Sequence, residues 1–210
     1  MSVAPDLPAL RPALLGLDRA DGNAGPGRGL PRRGLLELAG GPAAARTTAA
    51  CALLLEAQRD GDLCAWIQPE GGALYPPDLA ATGIDLEALL IVHVPPSAGP
   101  GGLPRAAELT LRTGAFGVVV VDLSVAAPPR GEAWLGRLAS LAREREARCV
   151  LLGPEEAPSS LGPLVPIRLR PLRRRVRPGR FAVTTDVLKD KGGHQPVLSV
   201  PPLRGPRGLP

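Results

Sequence analysis

The sequence predicts an α/β fold in which a mostly parallel β-sheet is flanked by helices and ends in a C-terminal antiparallel β extension. Short runs such as 116–122 are apolar on both faces, which is typical of strands buried inside a parallel sheet. These runs alternate with helical patterns of about 10 to 15 residues, the arrangement of βαβ units. Near the C-terminus the pattern changes to alternating apolar and polar residues, which favours antiparallel strands with one exposed face.

The strands and helices of the predicted core follow one another in order. An apolar run at 34–39 is the first strand, and a turn of small residues at 40–45 follows it. The next segment, 46–59, repeats apolar residues at helical spacing and is stopped by Gly61. The remaining core strands are predicted at 63–67, 89–94, 116–122 and 149–152, and the remaining helices at 77–82, 103–113 and 132–145.

The C-terminal extension is predicted as two strands, 164–170 and 180–188, because both segments alternate apolar and polar residues. The arginine-rich segment 170–179 is predicted to be the link between them. The residues after 196 are predicted to be ragged, although 197–203 could instead be a peptide that docks on a partner.

Length and composition indicate one domain with extensions at both ends. The chain has 210 residues and is 44% hydrophobic, which is enough for a substantial core. Its 26 glycines and 26 prolines are concentrated in the loops and termini. We therefore expect a flexible N-terminal arm at 1–29 with one short helix near 10–17, a core domain at 30–193, and a disordered Pro-rich tail at 194–210.

Several function classes are excluded by composition. The three cysteines are odd in number and far apart, so they predict small buried residues in a reducing cytosol rather than a disulfide or zinc framework. The start of the chain lacks the basic segment of a secretory signal, and no apolar run reaches the length of a membrane span. A net charge of +5 permits an anionic partner without identifying one.

The turn after the first strand has the length of a phosphate-binding loop. The motif G-x-x-x-x-G-K-[ST] aligns with 40–47, where Gly40 and Thr47 match. Ala45 replaces the second glycine and Arg46 replaces the lysine, a planar group that is not equivalent to a compact ammonium. Pro42 also removes one backbone N–H donor. We therefore expect this degenerate nucleotide site to hold neither ATP nor Mg²⁺.

In the order and sequence of these segments, the chain resembles the RecA family, and within it the short, non-recombinase ImuA-type branch. The resemblance is an ordered series that covers about 29–193 and implies a RecA-like core. Its segments are GLPRRGLLELAGG (29–41), RTT (46–48), LEAQRDG (55–61), AWIQPE (65–70), the passage 74–90 with TGIDL, VVVVDLS (118–124), and 181–192 with LKDK.

The resemblance also assigns roles and shows departures. It places Glu70 where RecA has its catalytic glutamate, and Asp122 where the Walker B aspartate lies near magnesium. The segment 153–158 lacks the Asn-Gln pair and the DNA-binding loop that follow the corresponding RecA strand, and the stretch from Asp122 to Cys149 is shorter than in a recombinase. The N-terminal polymerisation helix has no clear counterpart. This implies a RecA-like core that has lost hydrolysis.

The function implied is that of a non-catalytic adaptor in SOS mutagenesis and translesion synthesis. Such a pseudo-ATPase would couple an ImuB-type Y-family polymerase-like hub protein and an error-prone replicative polymerase to damaged DNA, with RecA itself as a further candidate partner. It would be cytoplasmic and would associate with the nucleoid after DNA damage. The alternative is an ATP-dependent RecA-type DNA-binding or recombination ATPase that uses Arg46 in place of the Walker lysine.

Individual residues keep two interpretations each. Glu70 is either a general base or an inherited surface carboxylate. Asp122 either holds magnesium or makes structural hydrogen bonds. Arg46 either binds an anion or forms a salt bridge with Glu70 or Asp122, and we favour the salt bridge. The two histidines, His93 and His194, have no companions at ligand spacing, so we expect no metal site.

An arginine cluster near the C-terminus is the densest charge in the chain. It is a candidate contact for weak, non-specific DNA binding or for a partner, or it is a solvated hairpin in an arginine-biased protein. Because no aromatic residue lies within it, base stacking is not expected. Its members are Arg168, Arg170, Arg173, Arg174, Arg175, Arg177 and Arg180.

Overall fold

The structure is a computed structural model that describes residues 30–41, 44–125, 129–154, 159–177, 180–193, 196, 198 and 200–204. The predicted N-terminal arm with its short helix, His194 and most of the predicted loop 153–158 lie outside the described residues. So do Pro42 and Ala43 of the phosphate-loop motif.

Eight strands, four α-helices and one short 3₁₀ helix (Pro96–Ala98) make up the described fold. The strands are β1 (Gly34–Leu38), β2 (Leu63–Pro69), β3 (Leu89–Val94), β4 (Phe116–Asp122), β5 (Arg148–Leu152), β6 (Ile167–Arg177), β7 (Arg180–Asp190) and β8 (Val200–Arg204). The helices are α1 (Arg46–Arg59), α2 (Pro76–Ala81), α3 (Gly102–Arg112) and α4 (Ala133–Glu144).

All eight strands belong to one sheet, in the order β3-β2-β4-β5-β1-β6-β7-β8. The strands from β3 to β6 in that order are parallel, whereas β7 is antiparallel to β6 and β8 is antiparallel to β7. The predicted α/β class, with a mostly parallel sheet and a C-terminal antiparallel extension, is confirmed.

The sheet has a hydrophobic core on each face. Helix α1 packs on one face, where Leu53 and Leu54 belong to the same buried cluster as Trp66 of β2. Helices α3 and α4 cover the opposite face, where Leu111 and Leu138 belong to a second buried cluster. Because the parallel strands are covered on both sides, their side chains are apolar in both directions, which explains the continuous apolar runs in the sequence.

In the core the element ends agree with the sequence prediction to within two residues, whereas in the extension they differ by more. Strand β2 continues two residues beyond 67, to Pro69. Strand β6 continues to Arg177, so most of the predicted link 170–179 is strand. A third antiparallel strand, β8, occupies part of the segment that was predicted to be ragged. In both places the ladder with β7 supplies main-chain hydrogen bonds, which the local arginine and proline content does not reveal.

The cysteines are free thiols, as predicted. Cys64 and Cys149 are buried, and the half-buried Cys51 packs against the core. Burial raises the pKa of both Cys51 and Cys149 to about 12. Among the helices of the described ranges, none is both long enough and apolar enough to span a bilayer.

Candidate functional site

The chain leaves the neighbouring strands β1 and β5 in opposite directions across the sheet, so the strand order reverses between their carboxyl ends. Strand β1 lies between β5 and β6, but α1 carries the chain past β5 and β4 to reach β2. In open α/β sheets, a reversal of this kind leaves a crevice at the carboxyl ends of the strands, and ligands bind there. The loop with the incomplete phosphate-binding motif occupies this place.

Strand β6 holds the loop through the main chain. The N–H of Ala39 donates to the carbonyl of Leu169 at 2.8 Å, and the N–H of Ala45 donates to the carbonyl of Pro171 at 3.0 Å. Ala44 also forms an isolated β-bridge with Leu172. Ala39, Ala44 and Ala45 therefore lie beside β6 and are joined to it by main-chain contacts.

The loop is also closed on itself. The N–H of Ala44 donates to the carbonyl of Gly41 at 2.9 Å. Gly40 has φ of +127°, and a Cβ added there would lie 2.5 Å from the Cβ of Ala44. A phosphate loop instead aims successive N–H groups at one anion. The N–H groups of Ala44 and Ala45 instead donate to the carbonyls of Gly41 and Pro171.

Arg46 occupies the lysine position of the motif and is buried. Its guanidinium donates from Nη1 to the carbonyl oxygen of Gly153, the residue that follows β5. The N–H of Gly153 in turn donates to the carbonyl of Leu38 in β1 at 2.9 Å. The favoured interpretation named Glu70 or Asp122 as the partner of Arg46, and sequence reasoning did not foresee this carbonyl.

Three further residues that the sequence assigned to the nucleotide site, Thr47, Glu70 and Asp122, differ in their surroundings. Thr47 and Glu70 are exposed, and Glu70 follows β2 at the same edge of the sheet. Asp122 is buried at the end of β4, and its Oδ1 accepts hydrogen bonds from the N–H and the hydroxyl of Ser124. These two hydrogen bonds stabilise the turn that follows β4.

Gln68 is a buried polar residue of this edge that sequence reasoning did not single out. Ile67 of β2 and Val121 of β4 are paired in the sheet. Gln68 follows Ile67 and Asp122 follows Val121, so Gln68 and Asp122 lie near the ends of neighbouring strands. The Oε1 of Gln68 accepts the N–H of Leu74 at 3.4 Å, and its buried Nε2 has no hydrogen-bond partner among the described residues. One glutamine inside an otherwise apolar strand was the available signal.

The predicted arginine cluster is divided by the hairpin of β6 and β7. Arg168 is buried in an ion pair with Glu37 of β1, its Nε 3.0 Å from Oε1 without the angular geometry of a hydrogen bond. It is therefore not part of an exposed contact surface, which corrects that assignment. Arg170 pairs with Asp186 at 2.7 Å.

The rest of the cluster lies further along the hairpin. Arg173, Arg174 and Arg175 are exposed. The guanidinium of Arg173 lies 5.2 Å from the ring centre of Phe181, an aromatic neighbour that follows the cluster directly in sequence. Arg177 of β6 and Arg180 of β7 are opposite each other in the strand register, at the turn end of the hairpin.

Glu37 is the centre of a buried network that the sequence did not predict. Its Oε2 accepts hydrogen bonds from the hydroxyl of Ser160 at 2.8 Å and from the N–H of Leu161 at 3.1 Å. Lys189 of β7 donates to the carbonyl of Gly162 at 2.9 Å, and burial, aided by nearby Lys191, lowers the pKa of Lys189. The network attaches the antiparallel extension to β1, directly before the phosphate-loop segment.

A family model and the curated relatives of this chain all point to the same family. The family model of the RecA N-terminal domain matches residues 5–149. This match begins well before residue 29, so it includes much of the N-terminal segment for which the sequence showed no clear counterpart.

Three curated relatives illustrate the similarity. The chain is 41% identical to Protein RecA of Gluconacetobacter polyoxogenes over 118 residues, which are 56% of this chain and 32% of the relative. It is 38% identical to Protein RecA of Rhodospirillum centenum over 124 residues, or 59% of this chain and 32% of the relative. With Protein RecA of Teredinibacter turnerae the identity is 34% over 126 residues, or 60% of this chain and 34% of the relative. The chain therefore spans about a third of the length of the curated relatives it matches.

Proposed function

The chain belongs to the RecA family, and within that family we propose that it is a DNA repair protein acting as a non-catalytic adaptor in DNA damage-induced mutagenesis. In this role it keeps the RecA-like scaffold for protein contacts and does not hydrolyse ATP. It holds neither ATP nor Mg²⁺ as a resident cofactor.

The observation that carries this proposal is the hydrogen bond between the N–H of Ala45 and the carbonyl of Pro171. In a working phosphate loop this N–H would face the anion. Here it is part of the main-chain pairing with β6, together with the bridge between Ala44 and Leu172. A nucleotide would have to displace these contacts, at a cost of about 0.5 to 1.5 kcal/mol for each hydrogen bond.

The direction of Arg46 supports the same proposal. Its guanidinium fills the space between the start of α1 and Gly153 by hydrogen-bonding the carbonyl there. A carbonyl oxygen carries partial negative charge, so it is a favourable hydrogen-bond acceptor for the guanidinium. Pro42, which has no N–H, removes a further donor from the motif.

The proposed partners are those of an ImuA-type adaptor. They are an ImuB-type polymerase-like hub protein, an error-prone replicative polymerase and RecA. The proposed location is the cytoplasm, with recruitment to the nucleoid after DNA damage.

A two-part experiment tests the adaptor role. The full chain is assayed for ATP turnover with and without single-stranded DNA, and for pairwise binding to a purified ImuB-type protein. We expect no turnover above a protein-free blank in either condition and a saturable complex with the ImuB-type protein. Clear hydrolysis, or the absence of any complex, would overturn the adaptor role.

The second candidate is an ATP-dependent RecA-type enzyme that uses Arg46 in place of lysine. It is favoured by the position of exposed Glu70 at the same sheet edge as Thr47, with Asp122 on a neighbouring strand end. DNA-stimulated hydrolysis that Glu70→Gln abolishes is its signature. A Glu87→Gln variant, at another exposed carboxylate, is the control and should leave such hydrolysis unchanged.

Direct DNA contact through the hairpin is compatible with either candidate. Arg173, Arg174 and Arg175 are exposed on β6, beyond the residues of β6 that pair with β1. Such a contact would be electrostatic and non-specific, because consecutive arginines on a strand alternate between its two faces and attract phosphates without reading bases.

A further inference from the structure

Three arginines on the face of the sheet that α3 and α4 cover converge on one buried carboxylate, Glu108 of α3. Arg105 and Arg112 of the same helix contact Oε1 at 3.1 and 2.7 Å, and Arg137 of α4 contacts Oε2 at 3.1 Å. The Glu108 side chain is 6% exposed, whereas the three arginine side chains are 62%, 58% and 54% exposed respectively. We call these four residues the arginine tripod.

The tripod carries more positive charge than its carboxylate can neutralise. Three guanidiniums and one carboxylate leave two positive charges uncompensated within the group. Each guanidinium has five N–H donors, and each uses only one of them in these contacts. The three side chains are more than half exposed, so a ligand can approach them from solvent.

Stability alone does not account for three arginines at this position. One partner is enough to pair a buried carboxylate, and exposed ion pairs contribute only about 0 to 1 kcal/mol each. The further arginines add repulsion between like charges. The contacts with the buried carboxylate, however, already restrict the three arginine side chains, so these side chains lose less conformational freedom when they bind an anion.

An apolar side chain completes this surface. Leu109 is 51% exposed, and it lies four residues after Arg105 and three before Arg112, the spacings that place residues on one face of a helix. The surface therefore combines fixed guanidiniums with an exposed leucine between two of them.

We propose that the arginine tripod and Leu109 form a docking surface for an acidic peptide segment of a partner protein that carries carboxylates beside an apolar residue. Arginine pairs with carboxylates in a planar, two-point geometry, which gives the charge complementarity. Neither end of this chain is an acidic peptide that could bind here. The sequence of 1–29 has three aspartates and three arginines, and the sequence of 194–210 has no aspartate or glutamate.

The arrangement favours a peptide over a nucleic acid. Phosphate backbones are bound by a row of basic groups that follows the strand, often with exposed aromatic side chains that stack on bases. Here the guanidiniums converge on one point, and the apolar neighbour is a leucine. This surface lies on the face opposite α1, and the inference holds whether or not the phosphate loop binds ATP.

Fluorescence anisotropy of the full chain with a labelled peptide of repeated Glu-Glu-Leu tests the proposal. The test variant is Arg105→Gln/Arg112→Gln, and the control is Arg33→Gln/Arg59→Gln, which removes the same charge from exposed positions elsewhere. We expect saturable binding that weakens about tenfold or more in the test variant and less than about twofold in the control. Circular dichroism verifies that both variants are folded.

Two further measurements separate the alternatives. Leu109→Ser should weaken binding of the Glu-Glu-Leu peptide but not of a Glu-Glu-Ser peptide. A single-stranded oligonucleotide of equal charge should bind the wild type and the test variant equally. The proposal is overturned if no peptide binds, if control and test variants lose affinity equally, or if the oligonucleotide binds the tripod more tightly than the peptide.

Discussion

The guanidinium of Arg46 donates a hydrogen bond to the carbonyl oxygen of Gly153, which joins the first residue of α1 to the end of β5. Both residues are buried. The contact makes Arg46 part of the structure of the sheet edge, in the position where the motif has a lysine that reaches a phosphate.

Arg46→Ala should therefore destabilise the fold, because it leaves the buried carbonyl of Gly153 without this donor. We expect a loss of about 1 to 3 kcal/mol in the free energy of unfolding, measured by urea denaturation. Arg130→Ala, at an exposed position in the segment before α4, is the control and should change the stability by less than about 0.5 kcal/mol. Equal stability of the two variants would show that the Arg46 contact is not made in solution.

Glu37→Gln should be more damaging than any change to a surface pair. The substitution breaks the buried ion pair between Glu37 and Arg168, and breaking a buried pair of this kind costs about 3 to 5 kcal/mol. Asp186→Asn breaks the half-exposed pair with Arg170, so the expected loss is about 0 to 1 kcal/mol. Chemical denaturation of both variants measures the difference, and similar losses would refute the buried network.

Gly40→Ala tests the closed form of the loop. The new Cβ would lie 2.5 Å from the Cβ of Ala44, and φ of +127° is strained for any residue with a side chain. We expect a loss of about 1 to 3 kcal/mol in thermal or urea unfolding. Gly101→Ala has open space around the new methyl group and φ of −82°, so it should be nearly neutral. A neutral Gly40→Ala would mean that the loop is open.

The stability of the protein should depend on pH through Glu108. The hydrogen bond from Arg112, together with Arg137 and the charge of Arg105, lowers the pKa of Glu108, although burial opposes the shift. A carboxyl with a lower pKa in the folded state stabilises it above the unfolded pKa, and this stabilisation is lost as the pH falls through the folded pKa. Urea unfolding from neutral pH to below pH 4.5 should show a steeper loss for the wild type than for Glu108→Gln. Parallel pH profiles would contradict the assignment.

Replacing Arg173, Arg174 and Arg175 with alanine tests the hairpin as a site of DNA binding. If the wild type binds DNA at low salt, the variant should bind all sequences more weakly to the same extent. The slope of log affinity against log salt should also fall by about 0.7 to 0.9 for each phosphate that the variant no longer neutralises. A wild type that binds no DNA at low salt would remove this role from the hairpin.

Local patterns of apolar residues predicted the core of the fold, but they could not predict contacts between segments that are distant in sequence. The apolar runs that became β1 to β5 and the helical spacing of α1, α3 and α4 carry their own signal, because a strand covered on both faces has to be apolar. The extension of β6 to Arg177 depends on a partner strand, and no local composition indicates it. The burial of Arg168 likewise depends on Glu37, which is over a hundred residues earlier in the chain.

The candidate site shows the same division. The sequence identified the altered positions Ala45 and Arg46, since each departs from a motif with a known spacing. It did not identify where their hydrogen bonds go, because Pro171 and Gly153 lie on strands that are distant in sequence. Gln68 and Glu108 were missed because single polar residues in apolar segments are informative only once their neighbours are placed.

Calorimetric titration of Mg-ATP into the full chain measures most directly whether the phosphate loop grips a triphosphate. The closed loop predicts no saturable heat up to millimolar nucleotide, with the same result for Arg46→Ala. Saturable binding in the micromolar range that Arg46→Ala abolishes would contradict it, since Arg46 would then reach a phosphate and not the carbonyl of Gly153.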